Sequence, residues 1–215
     1  FPTRRSSDLL LRAQRRGRWW RGRAAVAEQN VLVAQAKERR LAQAAFTDAL
    51  TAPAIPQGLH ALKRLMETED PDARDALAHV SLTGGIALAN AGLGAVHGLA
   101  GVIGGLAPAP HGAICGALLA PVLRLNRAKA TGETARRLDE VFHHIAATLG
   151  GPATRAPETL AAWARDAGLP GLTAQGLSPD LHDQTAEAAL GSSSMKGNPV
   201  ALSAADLRRA LQDAA

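Results

Sequence analysis

From Asn30 to about Leu50, apolar residues recur at near-helical spacing, at Val31, Val33, Ala36, Leu41, Ala44 and Ala45. Pro53 and Pro56 are expected to break this helix, and a second one is expected from Gln57 to Met66. The acidic turn ETEDPDARD follows, with Pro71 suited to the first turn of the next helix. Between Asp75 and Arg124 there is no Asp, Glu, Lys or Arg, which predicts burial of that whole stretch in a protein core or a membrane. Beyond Arg124 the pattern returns to amphipathic helices with legible ends. Thr131 or Thr134 opens a helix toward Leu149, stopped by Gly150-Gly151, and Pro157 opens another that ends before Gly168. Ser178-Pro179 reads as N-cap and first residue of a helix to Leu190, and Ser203 with Asp206 approximates a capping box for the last one. No repeat at solenoid period is present, and no segment asks for a strand. The predicted fold is all-α, a helical bundle.

Composition agrees. Hydrophobic residues make up 47% of the 215, aromatics 3%, and Tyr is absent, a balance that suits helices packed through small side chains better than a β-sandwich. The net charge of +5 would invite a nucleic-acid partner, but its location argues otherwise. Residues 1–24 carry eight Arg against Asp8 alone and contribute +7, which leaves −2 for the rest. The opening FPTRRSSDL resembles the translation of a sequencing-adapter oligonucleotide, and the Arg/Gly/Trp stretch after it has no period that could bury one face. Residues 1–29 are therefore expected to be an artefactual or frame-shifted basic segment, disordered, and residues 30–215 a single helical domain. The alternative, a basic arm stacking Trp19 and Trp20 on nucleic acid, is weaker, because charge runs are more often solvated than specific.

The lone Cys115 cannot form an internal disulfide, and the Arg-rich opening is not followed by the apolar run of a signal peptide, so a cytoplasmic location is expected. For the uncharged stretch a helical-hairpin membrane protein is the competing reading. Small-residue pairs at Gly94/Gly98, Gly101/Gly105 and Gly112/Gly116 support it. His79, His97, His111, Asn90 and the Pro108/Pro110 break oppose it, as polar groups costly to bury in lipid.

The chemistry concentrates in NAGLGAVHGLAGVIGGLAPAPHG, Asn90 to Gly112. Glycines let backbones approach closely around His97, Gly104-Gly105 and the two prolines force a turn, and His111 falls where a new helix begins. Two convergent imidazoles suit Fe, Zn, Ni or Cu better than Mg or Ca. By spacing alone, two satisfied core histidines are the commoner explanation, since two His do not complete a coordination sphere.

This stretch closely resembles the second signature of the iron-containing alcohol dehydrogenase family: a Gly-rich helix with a His ligand, a Gly-Gly turn and a Pro-His-Gly. The resemblance extends through FTDAL near Phe46, LTGGIALANAGLG, GAICGALLAPVLRLN and SSSMKGNPVALS, roughly residues 45 to 215. It implies the C-terminal metal-binding domain, with His97 and His111 as two of the family's three His ligands to Fe²⁺ or Zn²⁺. It further implies an NAD(P)-linked enzyme acting on a small alcohol or aldehyde, with no membrane or nucleic-acid partner and a homodimer when complete. The remaining Asp and His ligands belong, by the resemblance, upstream of the FTDAL position, where this sequence has no His at all, and the family's N-terminal cofactor domain is not expected within these residues. The fragment is therefore expected to be incompetent alone, with no catalytic and no cofactor-binding residue of its own. A maleylacetate-reductase-like enzyme, working without metal, is the alternative within the same fold.

By the same resemblance, Leu88 takes a pocket-wall position and Ser194 a loop that closes the substrate pocket. Gly101 stands where many members carry a proton-relaying His. Lys196 could meet a carboxylate but is more commonly a solvated lysine. His143 and His144 are successive helical residues that cannot converge on one metal, and His60, His79 and His182 suggest no partner. Cys115, one turn after His111, reads as a packed small hydrophobe.

Overall fold

The computed structural model describes residues 47–215. The helix expected over 30–50 is seen only in its final stretch, helical at 47–51, and the expectations for residues 1–29 lie outside the described residues. Eight helices follow: α1 Ala54–Glu67, α2 Pro71–Ala91, α3 Ala95–Ile103, α4 His111–Lys129, α5 Gly132–Leu149, α6 Ala156–Asp166, α7 His182–Leu190 and α8 Ala204–Asp213. Short 3-10 turns occupy Ala153–Arg155, Pro179–Leu181 and Ser193–Gly197. No strand occurs among the described residues, so the fold is all-α as the pattern predicts.

Most boundaries have local causes. Pro56 does not break α1. It sits in the first turn, where a backbone N–H has no intrahelical acceptor to lose, and the helix starts at Ala54 instead of Gln57. Asp70 caps α2 by accepting from the Ala73 N–H at 2.9 Å, with Pro71 as the first helical residue. Gly150 and Gly151, at φ 92° and 79°, end α5 in a conformation that side chains resist. Ser178-Pro179 does not open α7 directly, because the chain first makes the 3-10 turn Pro179–Leu181 and becomes α-helical only at His182. Ser203 and Asp206 form the full capping box of α8.

The core gathers around α3 and α4. Leu99, Ile103, Ile114, Leu118 and Leu123 are completely buried together with Leu207 and Leu211 of α8. Each such side chain contributes about 1.5–3 kcal/mol of transfer free energy, so α3 and the uncharged first part of α4 anchor the fold. α3 packs on α4 and α7, α4 on α6 and α8, and α1 on α2 and α5. The uncharged run is not buried throughout. α2 packs chiefly on α1 and turns its other side outward, where Leu82 is 66% exposed. Among the described residues no single helix is long and apolar enough to cross a membrane. α2 and α3 reach that length only as a pair bent by 98°, and α3 lies inside the protein core.

Candidate metal centre

α2 closes on Gly92, at φ 82°, and two residues later Gly94 starts α3, which places His97 third in that helix. After Ile103 the Gly104-Gly105 turn reverses the chain, and Pro110, extended at ψ 132°, leads into His111 as the first residue of α4. The two histidines thus sit in the first turns of two consecutive helices. Their ring centroids are 5.5 Å apart with planes inclined at 51°. Cys115 lies one turn further along α4, its Sγ 3.6 Å from His111 Nε2. Donor atoms of His97, His111 and Cys115 all fall within 4.8 Å of one another. Burial is graded across the cluster: Cys115 fully buried, His97 half-buried, His111 exposed.

This donor set fits a borderline divalent cation. A tetrahedral ion with Zn–N near 2.1 Å and Zn–S near 2.3 Å holds nitrogen and sulfur about 3.6 Å apart, which is the separation seen between His111 and Cys115. Imidazole suits Fe²⁺ and Zn²⁺, whereas Mg²⁺ and Ca²⁺ ask for oxygen donors, and no carboxylate joins the cluster among the described residues. The start of α4 is also braced from outside. Buried Gln175 donates from Nε2 to the Ala113 carbonyl at 3.1 Å and to the Pro170 carbonyl at 2.7 Å. A Cβ on its neighbour Gly176 would stand 3.2 Å from Pro108 Cδ, so the 170s loop lies tightly along the turn before His111.

The family pattern described as Fe-containing alcohol dehydrogenase family, C-terminal, matches residues 39–215. The chain belongs to that family. It is 28% identical over 164 residues to choline dehydrogenase from Bacillus subtilis (strain 168), an alignment covering 72% of this chain and 39% of that protein. Its fold is similar to a crystal structure of 1,3-propanediol oxidoreductase, with TM-score 0.75 at 24% identity over 88% of this chain and 49% of that one. It is likewise similar to maleylacetate reductase from Rhizobium sp. strain MTP-10005, with TM-score 0.69 at 22% identity over 89% and 51%. The chain thus spans about half the length of these structures, and less of the choline dehydrogenase.

Within this iron-containing alcohol dehydrogenase domain the structure brings together the two histidines singled out from sequence and adds Cys115, read from sequence only as packing. Cys115 is indeed buried, and its sulfur nevertheless faces a ring nitrogen. The signal was present as the i, i+4 spacing from His111. Gly101 is exposed, and a Cβ there would meet nothing within 4 Å. Leu88, half-buried, lies in the last turn of α2, and Ser194 in the 3-10 turn Ser193–Gly197, its N–H held by the Ser192 hydroxyl at 3.2 Å. The other histidines stay apart from the cluster. His79 Nδ1 is 3.1 Å from Gln57 Oε1, and His143 Nδ1 is 2.6 Å from the Asp139 carbonyl oxygen. His182 is buried, and burial holds its pKa below the usual imidazole range despite the opposing charge of Asp183.

Proposed function

We propose that this chain is the metal-binding half of an NAD(P)-linked alcohol or aldehyde oxidoreductase, and that His97 and His111 hold its divalent cation, Fe²⁺ or Zn²⁺. The observation that carries the reading is the convergence of the two imidazoles at 5.5 Å from separate helices. When bound, the cation supplies Lewis-acid polarisation of the substrate oxygen and the nicotinamide supplies the hydride partner. The chain's own part is positional. The first turns of α3 and α4 set the rings, buried Cys115 backs them with a soft donor, and exposed Gly101 leaves room for substrate or water beside His97. No imidazole can carry a proton from position 101, and water that reaches this exposed position can take that part. Leu88 and Ser194 line the substrate pocket in this reading. Residues 30–215 form the domain and residues 1–29 stand outside it, the complete enzyme is a cytoplasmic homodimer, and this chain is inactive without a cofactor domain.

Calorimetric titration of the full chain with Zn²⁺ tests the assignment. Wild type binds with one ion per chain, while His97→Ala and His111→Ala each weaken binding by more than about 100-fold, as removal of one donor from a three-donor set implies. Wild-type affinity in both variants would refute the site. Absence of binding in every form would favour the metal-independent, maleylacetate-reductase-like alternative.

A further inference from the structure

We infer that Asn198, held by Asn126, is the residue that positions His97, by serving as the missing cap of the helix that carries it. Helix α3 starts on Gly94, which has no side chain, and no side-chain cap comes from its own sequence. The backbone N–H groups of a first turn have no intrahelical acceptor and need one from elsewhere. Asn198, 103 residues away along the chain, supplies it: its Oδ1 accepts from the Ala95 N–H at 3.1 Å.

Nothing about that amide is free to turn. Asn198 Nδ2 donates to the Asn126 carbonyl oxygen Oδ1 at 2.8 Å and to the Val200 carbonyl at 2.8 Å, while Asn126 Nδ2 donates back to Asn198 Oδ1 at 3.3 Å. Both asparagines are buried, and both donors and both acceptor positions of Asn198 are used. The two Val200 and Asn126 acceptors fix which end of the amide is NH₂, and so present the oxygen to Ala95. Asn126 lies on α4, the helix that begins with His111, so one buried pair ties the two histidine-bearing helices together.

Two neighbours of Asn198 grip the same place. A Cβ on Gly197 would overlap the Leu93 carbonyl oxygen and stand 2.9 Å from its carbon, so the backbone at 197 lies directly against the residue before Gly94. Met195 reaches over Gly98, where a Cβ would be 2.9 Å from Met195 Cε. The segment from Met195 to Asn198 therefore clasps α3 and its lead-in at three points around His97: Leu93, Ala95 and Gly98. Residue 97 is third in the helix, so a shift of its first turn moves the imidazole directly. The role is positional, since Asn198 donates to and accepts from protein groups only.

This inference rests on the metal reading of His97 and His111, and two readouts separate them. In the full chain without metal, wild type shows a nuclear Overhauser contact between the His97 and His111 rings. Asn198→Ala loses it, and weakens Zn²⁺ binding by about 10–100-fold, the range for groups that orient metal ligands. Asn126→Ala keeps the Ala95 bond but loosens its support, and weakens Zn²⁺ binding less. Leu65→Ala on α1, in the separate apolar cluster between α1 and α2, lowers overall stability yet leaves ring contact and affinity at wild-type values. An Asn198→Ala chain that retains both would overturn the positioning role. Should Asn198→Ala not fold, unchanged ring contact and affinity in folded Asn126→Ala would overturn it equally. If His97→Ala binds Zn²⁺ like wild type, the metal reading falls, and the ring contact alone then decides whether Asn198 positions His97.

Discussion

Helix α8 begins on its own capping box, with Ser203 and Asp206 exchanging hydrogen bonds within four residues. Helix α3 begins on a bare glycine and takes its cap from Asn198, far along the chain. The contrast extends to everything around them. α5 carries exposed charges paired one turn apart, Arg136 with Glu133 and with Glu140, and such solvated pairs stabilise only weakly. α3 and the first two-thirds of α4 carry no charge, and are held by close backbone approach and buried amides. A helix on the rim can be specified by its neighbours in sequence. A helix that must present a side chain at a fixed point in the interior is specified by whatever packs on it.

The largest effect expected from this difference is at Gly197. Gly197→Ala places a methyl carbon on the Leu93 carbonyl, and backbone rather than a flexible side chain must give way. Overpacking of this kind costs about 1–3 kcal/mol and more where the obstacle is rigid. The unfolding free energy from urea titration should fall by an amount at the upper end of that range, and amide exchange should accelerate most in α3. Uniform acceleration across all helices would mean that the clasp serves general stability and has no special hold on α3.

The same division explains what could be read from sequence. The ends of α2, α5, α6 and α8 were legible because Asp70-Pro71, Gly150-Gly151, Pro157 and Ser203-Asp206 act on backbone groups within one turn. His97 and His111 were legible through the family resemblance, and the Gly-Gly and Pro breaks that bring them together lie between them in the chain. Cys115 looked like filler, because an i, i+4 neighbour counts as a donor only once the direction of its partner ring is known. Asn198 and Gln175 gave no local signal at all. The bonds by which they reach α3 and α4 run to residues 72 or more and 62 positions away respectively, and an isolated Asn or Gln in a loop is ordinary turn chemistry. Exposure of Leu82 was missed for a related reason: absence of charge fixes the character of α2 but not how many neighbours cover it.

A smaller effect tests the self-sufficient side. Ser203→Ala removes the hydroxyl that accepts from the Asp206 N–H, and should cost about 1 kcal/mol, read as a lowered urea midpoint. Asp206 adds a pH signature. Burial pushes its carboxyl up, but the Lys129 ammonium at 2.7 Å and the Ser203 N–H and hydroxyl outweigh this and bring its pKa to about 2, below the usual carboxylate range. A carboxylate depressed in the folded state stabilises it fully above its unfolded value and loses that contribution as pH falls through the folded one. Asp206→Ala should therefore lower the melting temperature by a constant amount above about pH 4, with the difference from wild type shrinking toward about pH 2. A difference that persists unchanged at that lower pH would assign the effect to packing.

The smallest effect has the opposite sign and falls inside the clasped region. Gly101 is helical and exposed, and a methyl group added there would meet nothing within 4 Å, so nothing non-local acts on it. Gly101→Ala should follow helix propensity alone and stabilise the chain by about 0.5–1 kcal/mol, a rise of a few degrees in melting temperature. It lies one helical turn after His97, on the same face of α3. Stabilisation would show that local rules still govern whatever part of α3 the rest of the fold leaves untouched. A loss of stability would mean that this open face is covered in solution, by a second copy for example, and that the glycine is there to let something approach the histidines.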